Sequence, residues 1–132
     1  MDIHTPYAFG KTVAAPFSSI ERKVPEELQK EGFGILCEID VTAKFKEKLN
    51  KEFRKYLILG ACNPTLAWQA FGKELDIGTL LPCNVVLYET DLGETAVMIM
   101  DPEAVLSLIG NPQVADLAAM VKAKMERVLA AI

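Results

Sequence analysis

The C-terminal segment carries the pattern that most restricts the fold, because its apolar residues recur at spacings of three and four. Asn111 and Pro112 supply an N-cap and a first-turn residue, so we predict a helix from this point to the end of the chain. A long helix that is apolar on one side only must pack against a second layer, which the rest of the chain has to provide. The apolar stripe comprises Val114, Leu117, Ala118, Val121, Met125, Val128, Leu129 and Ile132.

Short apolar segments supply that second layer as strands. We predict strands over residues 9–14, 34–40, 55–61, 83–90 and 95–100. The third of these is apolar on both faces, which predicts a position in the interior of a sheet. Residues 91–94, with the sequence Asp-Leu-Gly-Glu, are typical of a hairpin turn between the last two strands. In the second strand, alternation puts Cys37 on the face of Ile35 and Ile39, so we predict that Cys37 is a small buried hydrophobe.

Helix signals lie between the strands. Ser18 and Glu21 have the spacing of a capping box, which predicts a helix that continues to about Glu31 and ends at Gly32. Pro25 lies inside this helix and predicts a kink or a local restart. Further helices are predicted over 42–50, over 63–74 and after the Asp-Pro pair at 101–102. This order predicts an α+β domain over residues 1–132, with helices packed on one face of a mainly antiparallel or mixed five-stranded sheet.

The composition limits the function classes. The chain has 132 residues, of which 51% are hydrophobic and 24% charged, and its net charge is −4. One mildly acidic domain of this size argues against nucleic-acid binding and against attachment to a membrane through a basic patch. The first residues lack signal-peptide features and no apolar run reaches membrane-spanning length, so we expect a cytoplasmic protein. The odd number of cysteines and the single histidine argue against a disulfide scaffold and an imidazole-rich metal site.

Two matched segments carry the candidate functional residues. Ala-Cys-Asn-Pro at 61–64 and Leu-Pro-Cys-Asn at 81–84 each place a thiol and an amide beside an apolar strand. Cys62 directly precedes a predicted helix N-terminus, which favours a thiolate with a lowered pKa. If the two strands are neighbours, Cys62 and Cys83 could face one pocket, as a redox pair, a soft-metal site or a small-ligand site. The alternative is that both thiols pack and that Asn63 and Asn84 cap turns.

The remaining candidates carry weaker signals. Trp68, on the helix that follows Cys62, could wall a ligand pocket, anchor a subunit interface or pack in the core. His4 is expected to be solvated in a frayed segment. Glu38 and Asp40 share a strand face, where we favour a solvated edge or a helix cap over acid–base catalysis. No phosphate-binding glycine loop or nucleophile elbow is present, so the sequence contains no complete catalytic motif, and whether the protein is an enzyme stays open, with a non-enzymatic role favoured.

Several of these motifs together resemble the domain of unknown function 302 family of bacteria and archaea. They are Gly-Phe-Gly-Ile-Leu at 32–36, Glu-Ile-Asp-Val at 38–41, Ile-Leu-Gly-Ala-Cys-Asn-Pro at 58–64, Leu-Leu-Pro-Cys-Asn-Val-Val-Leu-Tyr-Glu at 80–89, and Asp-Pro at 101–102. The resemblance covers nearly the whole chain and implies a small, two-layer α+β domain, often dimeric, in which helices back a curved antiparallel sheet. It assigns no activity, and the cofactor is unknown. The residues that it marks as the site are Cys62, Asn63, Pro64, Pro82, Cys83 and Asn84.

Three functions are consistent with the sequence. The first is a non-enzymatic homodimer that binds a small apolar ligand or a partner near Cys62 and Cys83, with Asn63, Pro64, Asn84 and Trp68 around them. The second is a thiol-dependent redox or sulfur-handling protein that uses the same two cysteines. The third is a soft-metal or haem carrier, although no spacing in the chain demands a metal.

Overall fold

Six antiparallel strands form one sheet in the order β1-β2-β6-β5-β4-β3 in the computed structural model, which describes residues 2–132. The strands are β1 (Asp2–His4), β2 (Ala8–Val13), β3 (Gly34–Asp40), β4 (Tyr56–Cys62), β5 (Cys83–Glu89) and β6 (Thr95–Met100). The helices are α1 (Phe17–Lys30), α2 (Val41–Leu49), α3 (Pro64–Lys73), α4 (Pro102–Leu106) and α5 (Pro112–Ala130). A 3₁₀ segment, Leu75–Leu80, links α3 to β5, and a shorter one, Ser107–Ile109, follows α4. The predicted α+β architecture with a long C-terminal helix is confirmed.

The sheet contains one strand more than the sequence predicts. β1 pairs with β2, with His4 opposite Phe9, so the segment predicted to fray is an edge strand, although His4 is exposed as expected. The Thr5 amide donates to the Ala8 carbonyl at 2.9 Å and closes the turn between the two strands. A strand of three residues is too short to show a periodic sequence pattern. Backbone hydrogen bonds to β2 hold it in the sheet.

The first helix differs from its prediction at the N-terminus. It begins at Phe17 with Pro16 as N-cap, and no side chain caps it, so the capping box at Ser18 is wrong. Proline presets the backbone for helix entry, and the helix begins two residues earlier than the serine pattern indicated. The helix passes Pro25 without a restart. Gly32 ends it as predicted, with φ +86, and the Gly32 and Phe33 amides satisfy carbonyls of the last turn.

A bulge in β3 overturns the prediction for Cys37. Ile35 lies opposite Ala61 and Cys37 lies opposite Gly60, so two residues of β3 span one step of β4. The bulge places Ile35 and Cys37 on opposite faces of the sheet, because the extra residue shifts the alternation by one. Ile35 packs against the core, whereas Cys37 is exposed on an edge strand. The prediction that Cys37 is buried is therefore wrong.

Two apolar clusters form the interior, and α5 contributes to both. The first lies between one face of the sheet and helices α1 and α5, and includes Val24 and Leu28 of α1 and Met125 and Val128 of α5. The second joins α3, α4 and the first half of α5, and its largest members are Leu66, Ile77, Leu106, Val114 and Leu117. The interior position predicted for β4 is confirmed, because it lies between β3 and β5. Val121 and Leu81 pack against both clusters and mark the boundary between them.

Candidate functional site

A cavity of about 260 Å³ lies where the two apolar clusters meet. Its walls come from the end of β4, the start of β5, α3, α4 and the first half of α5. Leu66, Ile77, Leu106, Val114, Leu117 and Val121 contribute side chains to these walls. Leu36 and Phe71 also line the cavity but are 67% and 41% exposed, so they mark its opening to solvent.

The strand pairing brings the two cysteine segments together at this cavity. β4 and β5 are neighbours, and Ala61 lies directly opposite Cys83. Cys62 is the next residue along β4, and both cysteines line the cavity. Pro82, which precedes Cys83, lines it as well. The condition that the sequence left open, that these strands be adjacent, is confirmed.

Both thiols in the cavity are held in their protonated form. Burial raises the pKa of Cys62. Burial raises the pKa of Cys83 to about 11, and the nearby Cys62 thiol contributes in the same direction. The predicted lowering of the Cys62 pKa by a helix N-terminus is wrong. Few free amides remain at the start of α3 to stabilise a thiolate, because Pro64 has no N–H and the Leu66 and Ala67 amides both donate to Asn63.

Asn63 combines a structural role with a position on the cavity wall. Its Oδ1 accepts from the Leu66 amide at 3.2 Å and caps α3, as the Asn-Pro pattern predicts. Its side chain is half-buried and lines the cavity. Apart from Asn63 and the two thiols, the lining residues are apolar, and none carries an acidic, basic or imidazole group. The cavity can therefore hold a nonpolar molecule but provides no charged partner for one.

Three other candidates lie outside this lining. Pro64 occupies the first position of α3 and is exposed, and Asn84 is exposed on β5. Trp68 lies on α3 but is 82% exposed. The cavity instead uses apolar residues of α4 and α5 that carry no local signal of a site. For the residues of α5, the sequence signal is the apolar stripe, which is equally typical of core packing.

Of the two acidic residues on β3, Asp40 caps a helix and Glu38 faces solvent. Asp40 accepts from the Ala43 amide at 2.9 Å and caps α2, which is the alternative favoured by the sequence. Glu38 is exposed.

Within residues 2–132, no group of three or more His, Cys, Asp or Glu side chains is placed to hold a metal ion. Among the same residues, no helix is long and apolar enough to cross a membrane.

Comparison with known proteins agrees with the resemblance found in the sequence. The chain is similar over 94% of its length to an uncharacterized conserved protein DUF302 from Bacillus stearothermophilus, seen in a crystal structure. The two are 27% identical, the match covers 96% of the other chain, and the TM-score is 0.87. A search of the curated proteins finds no match. The model of the family described as "Domain of unknown function DUF302" matches residues 9–132, and the chain therefore belongs to that family.

Proposed function

We propose that this protein is a binding module that holds a small apolar molecule in the cavity beside Cys62 and Cys83. The observation that carries the proposal is an open cavity of about 260 Å³ whose lining is apolar except for Asn63 and two protonated thiols. Ligand pockets in proteins are lined mainly by apolar side chains with a few polar groups, and this lining has that composition. An apolar cavity of about 150 Å³ already suffices to bind benzene.

The thiol chemistry favours binding over the redox alternative. The thiolate is the nucleophilic form of cysteine, and activated cysteines lie in electropositive surroundings. Cys62 and Cys83 lie in an apolar cavity and their pKa values are raised. At neutral pH, both therefore contribute to the wall mainly as small polarizable groups.

The proposal is tested with N-phenylnaphthylamine, an uncharged dye whose fluorescence rises in apolar surroundings. We expect saturable binding of one dye per chain. Ala67 lines the cavity from α3 and is half-exposed, so Ala67→Leu reduces the space while keeping a good helix former. It should weaken dye binding about fivefold or more, because an overfilled cavity must shift its walls to admit the dye.

The control is Ala119→Leu, the same substitution at an exposed position of α5 outside the lining. It should leave the dissociation constant unchanged. Binding that is not saturable, or that Ala67→Leu and Ala119→Leu affect equally, contradicts the proposal.

We also propose that the module is a homodimer in the cytoplasm. The dimer is supported by apolar residues on the sheet face opposite α1 and α5 and at its margin, where Ile39 is 45%, Phe53 42% and Phe45 38% exposed. Exposed apolar groups that lie together are typical of interaction surfaces. The compartment is supported by three free cysteines, which are usual in reducing surroundings.

A further inference from the structure

We propose that the cavity selects an uncharged, largely hydrocarbon ligand with a hydrogen-bond acceptor, and that the side-chain amide of Asn63 binds this acceptor. The inference rests on the proposed function, because it specifies the ligand class of the same cavity. It is carried by three observations: the absence of charge in the lining, the occupied amides at the start of α3, and the orientation of the Asn63 amide.

The lining disfavours an ionised ligand. None of its side chains is acidic, basic or an imidazole, so a carboxylate or ammonium inside the cavity would have no counter-ion. Transfer of an unpaired charge from water into apolar surroundings is strongly unfavourable. The ligand portion within the cavity is therefore neutral.

The N-terminus of α3 does not provide an alternative anion site. Helix N-termini bind anions through free amides. Pro64 has no N–H, the Leu66 amide donates to Asn63 Oδ1, and the Ala67 amide donates to the Asn63 carbonyl at 2.9 Å. The first turn therefore leaves only the Thr65 amide, too few donors for a carboxylate or phosphate.

The capping bond determines which end of the Asn63 amide is available. Because Oδ1 accepts from the Leu66 amide, the opposite end of the group, Nδ2, is a donor. Nδ2 has no acceptor among residues 2–132, and it is not sealed from solvent. It lies 2.9 Å from the position that a Cβ would take on Gly32, so the glycine at the end of α1 leaves room for it.

Asn63 is the one amide residue in a lining that is otherwise apolar except for the two thiols, and its unused donor gives the site its polar selectivity. A ligand carbonyl or ether oxygen can accept from Nδ2, whereas a ligand without an acceptor gains no hydrogen bond from it. The remaining polar groups, the thiols of Cys62 and Cys83, are weak donors. Asn63 therefore caps α3 with one end of its amide and recognises the ligand with the other.

The charge selectivity is tested with two dyes that share one skeleton. N-phenylnaphthylamine is neutral, and anilinonaphthalenesulfonate carries a sulfonate beside the anilino nitrogen, in the middle of the molecule. We expect the neutral dye to bind at least about tenfold more tightly at the site that Ala67→Leu closes. Equal affinity of the two dyes at that site overturns the inference while leaving the proposed function intact.

The acceptor selectivity is tested by displacing the neutral dye with acetophenone and with ethylbenzene. These molecules are similar in size and differ in a carbonyl group. The partition of the two molecules between water and an apolar solvent predicts the ratio of their affinities without a hydrogen bond. We expect the affinity of acetophenone relative to ethylbenzene to exceed this ratio by about threefold to tenfold. Asn63→Asp keeps an oxygen to cap α3 but removes the donor, so this advantage should disappear.

The outcomes separate the inference from the proposed function. If the dye does not bind the wild-type protein, the proposed function fails. If the dye binds but acetophenone has the same advantage in Asn63→Asp as in the wild type, only the inference fails. Asn63→Gly, which also removes the donor and is well tolerated at an N-cap, provides the same comparison if Asn63→Asp does not fold.

Discussion

At the scale of single residues, the three cysteines occupy three different environments. Cys37 is exposed on the edge strand β3, Cys62 is half-buried at the cavity wall, and Cys83 is buried with a pKa of about 11. The sequence pattern predicted that Cys37 is buried. Alternation along a strand holds only while the strand is regular, and a single bulged residue inverts every side chain beyond it.

These environments predict the order of alkylation. With iodoacetamide near pH 8, Cys37 should react about tenfold or more faster than Cys83, because reaction needs access and a thiolate. Cys62 should fall between them and be slowed further by N-phenylnaphthylamine. Peptide mapping by mass spectrometry identifies each site. Unfolding in guanidinium should bring the three rates together, and faster reaction of Cys83 than of Cys37 in the native protein would refute the assigned environments.

At the scale of elements, the helix starts show which local signals determine structure. Asn63, Asp101 and Asn111 each precede a proline, and each side chain caps the helix that follows. These bonds join residues two or three apart, so short-range spacing predicts them. Ser18 has similar spacing to Glu21 but lies inside α1, because Pro16 starts the helix earlier.

The cap at Asp101 also ties α4 to α5. Asp101 accepts from the Glu103 and Ala104 amides, and Lys122 of α5 donates to its Oδ2 at 3.0 Å. Burial acts to raise the pKa of Asp101, but the hydrogen bonds from Lys122, Ala104 and Glu103 outweigh it and lower the pKa. The hydrogen bond to Asp101 raises the pKa of Lys122.

These shifts define how the pair contributes to stability across pH. The pKa of Asp101 is lower when folded, so its contribution is present above the unfolded value of about 3.9 and is lost as the pH falls through the folded value. The pKa of Lys122 is higher when folded, so its contribution is present below the unfolded value of about 10.4 and is lost as the pH rises through the folded value. Between these limits the ion pair is intact.

We predict that Asp101→Asn lowers the free energy of unfolding by about 1 kcal/mol at pH 7, because it keeps the cap but loses the charge. The difference from the wild type should vanish once the pH is below the folded pKa of Asp101. Urea denaturation at a series of pH values measures both effects. Asp116→Asn, at an exposed position of α5, is the control and should change stability by less than about 0.5 kcal/mol. A deficit that persists unchanged in acid would exclude the ion pair as its cause.

At the scale of the whole molecule, the two faces of the sheet have different surroundings. One face is covered by α1 and α5. Toward the other face, Phe45 of α2 contacts Phe53, which contacts Tyr56, and Tyr56 stacks on Tyr88 with ring centroids 5.5 Å apart. This second face joins exposed apolar residues to an aromatic row, and it is the surface to which we assign the proposed dimer.

That assignment predicts the effect of a charge on the face. Ile39→Lys should weaken self-association about tenfold or more, because like charges would meet across a two-fold interface and apolar contact would be lost. Sedimentation over a range of protein concentrations measures the dimer dissociation constant. Leu92→Lys adds the same charge at an 85% exposed position in the β5–β6 turn and should have no effect. A monomeric wild type, or equal loss with both variants, would reject this interface.

The sequence by itself determined the features that depend on neighbours along the chain. These include three Asn-Pro or Asp-Pro helix starts, the hairpin turn, the glycine that ends α1, the long C-terminal helix and the family to which the chain belongs. Each rests on residues a few positions apart, whose spacing is preserved in any fold. The α+β class followed because one-sided helices and short strands have few ways to bury their apolar faces.

Only the tertiary structure decided the bulge in β3, the addition of β1 and the cavity. The bulge and the cavity depend on residues distant in the sequence, because Gly60 lies opposite Cys37 and Val121 packs against both clusters. β1 pairs with a near neighbour, with His4 opposite Phe9, but its three residues are too few to show a periodic pattern. A stripe of apolar residues has the same sequence pattern whether it fills a core or lines a void. The difference arises from how closely three helices and two strand ends approach, which local spacing does not encode.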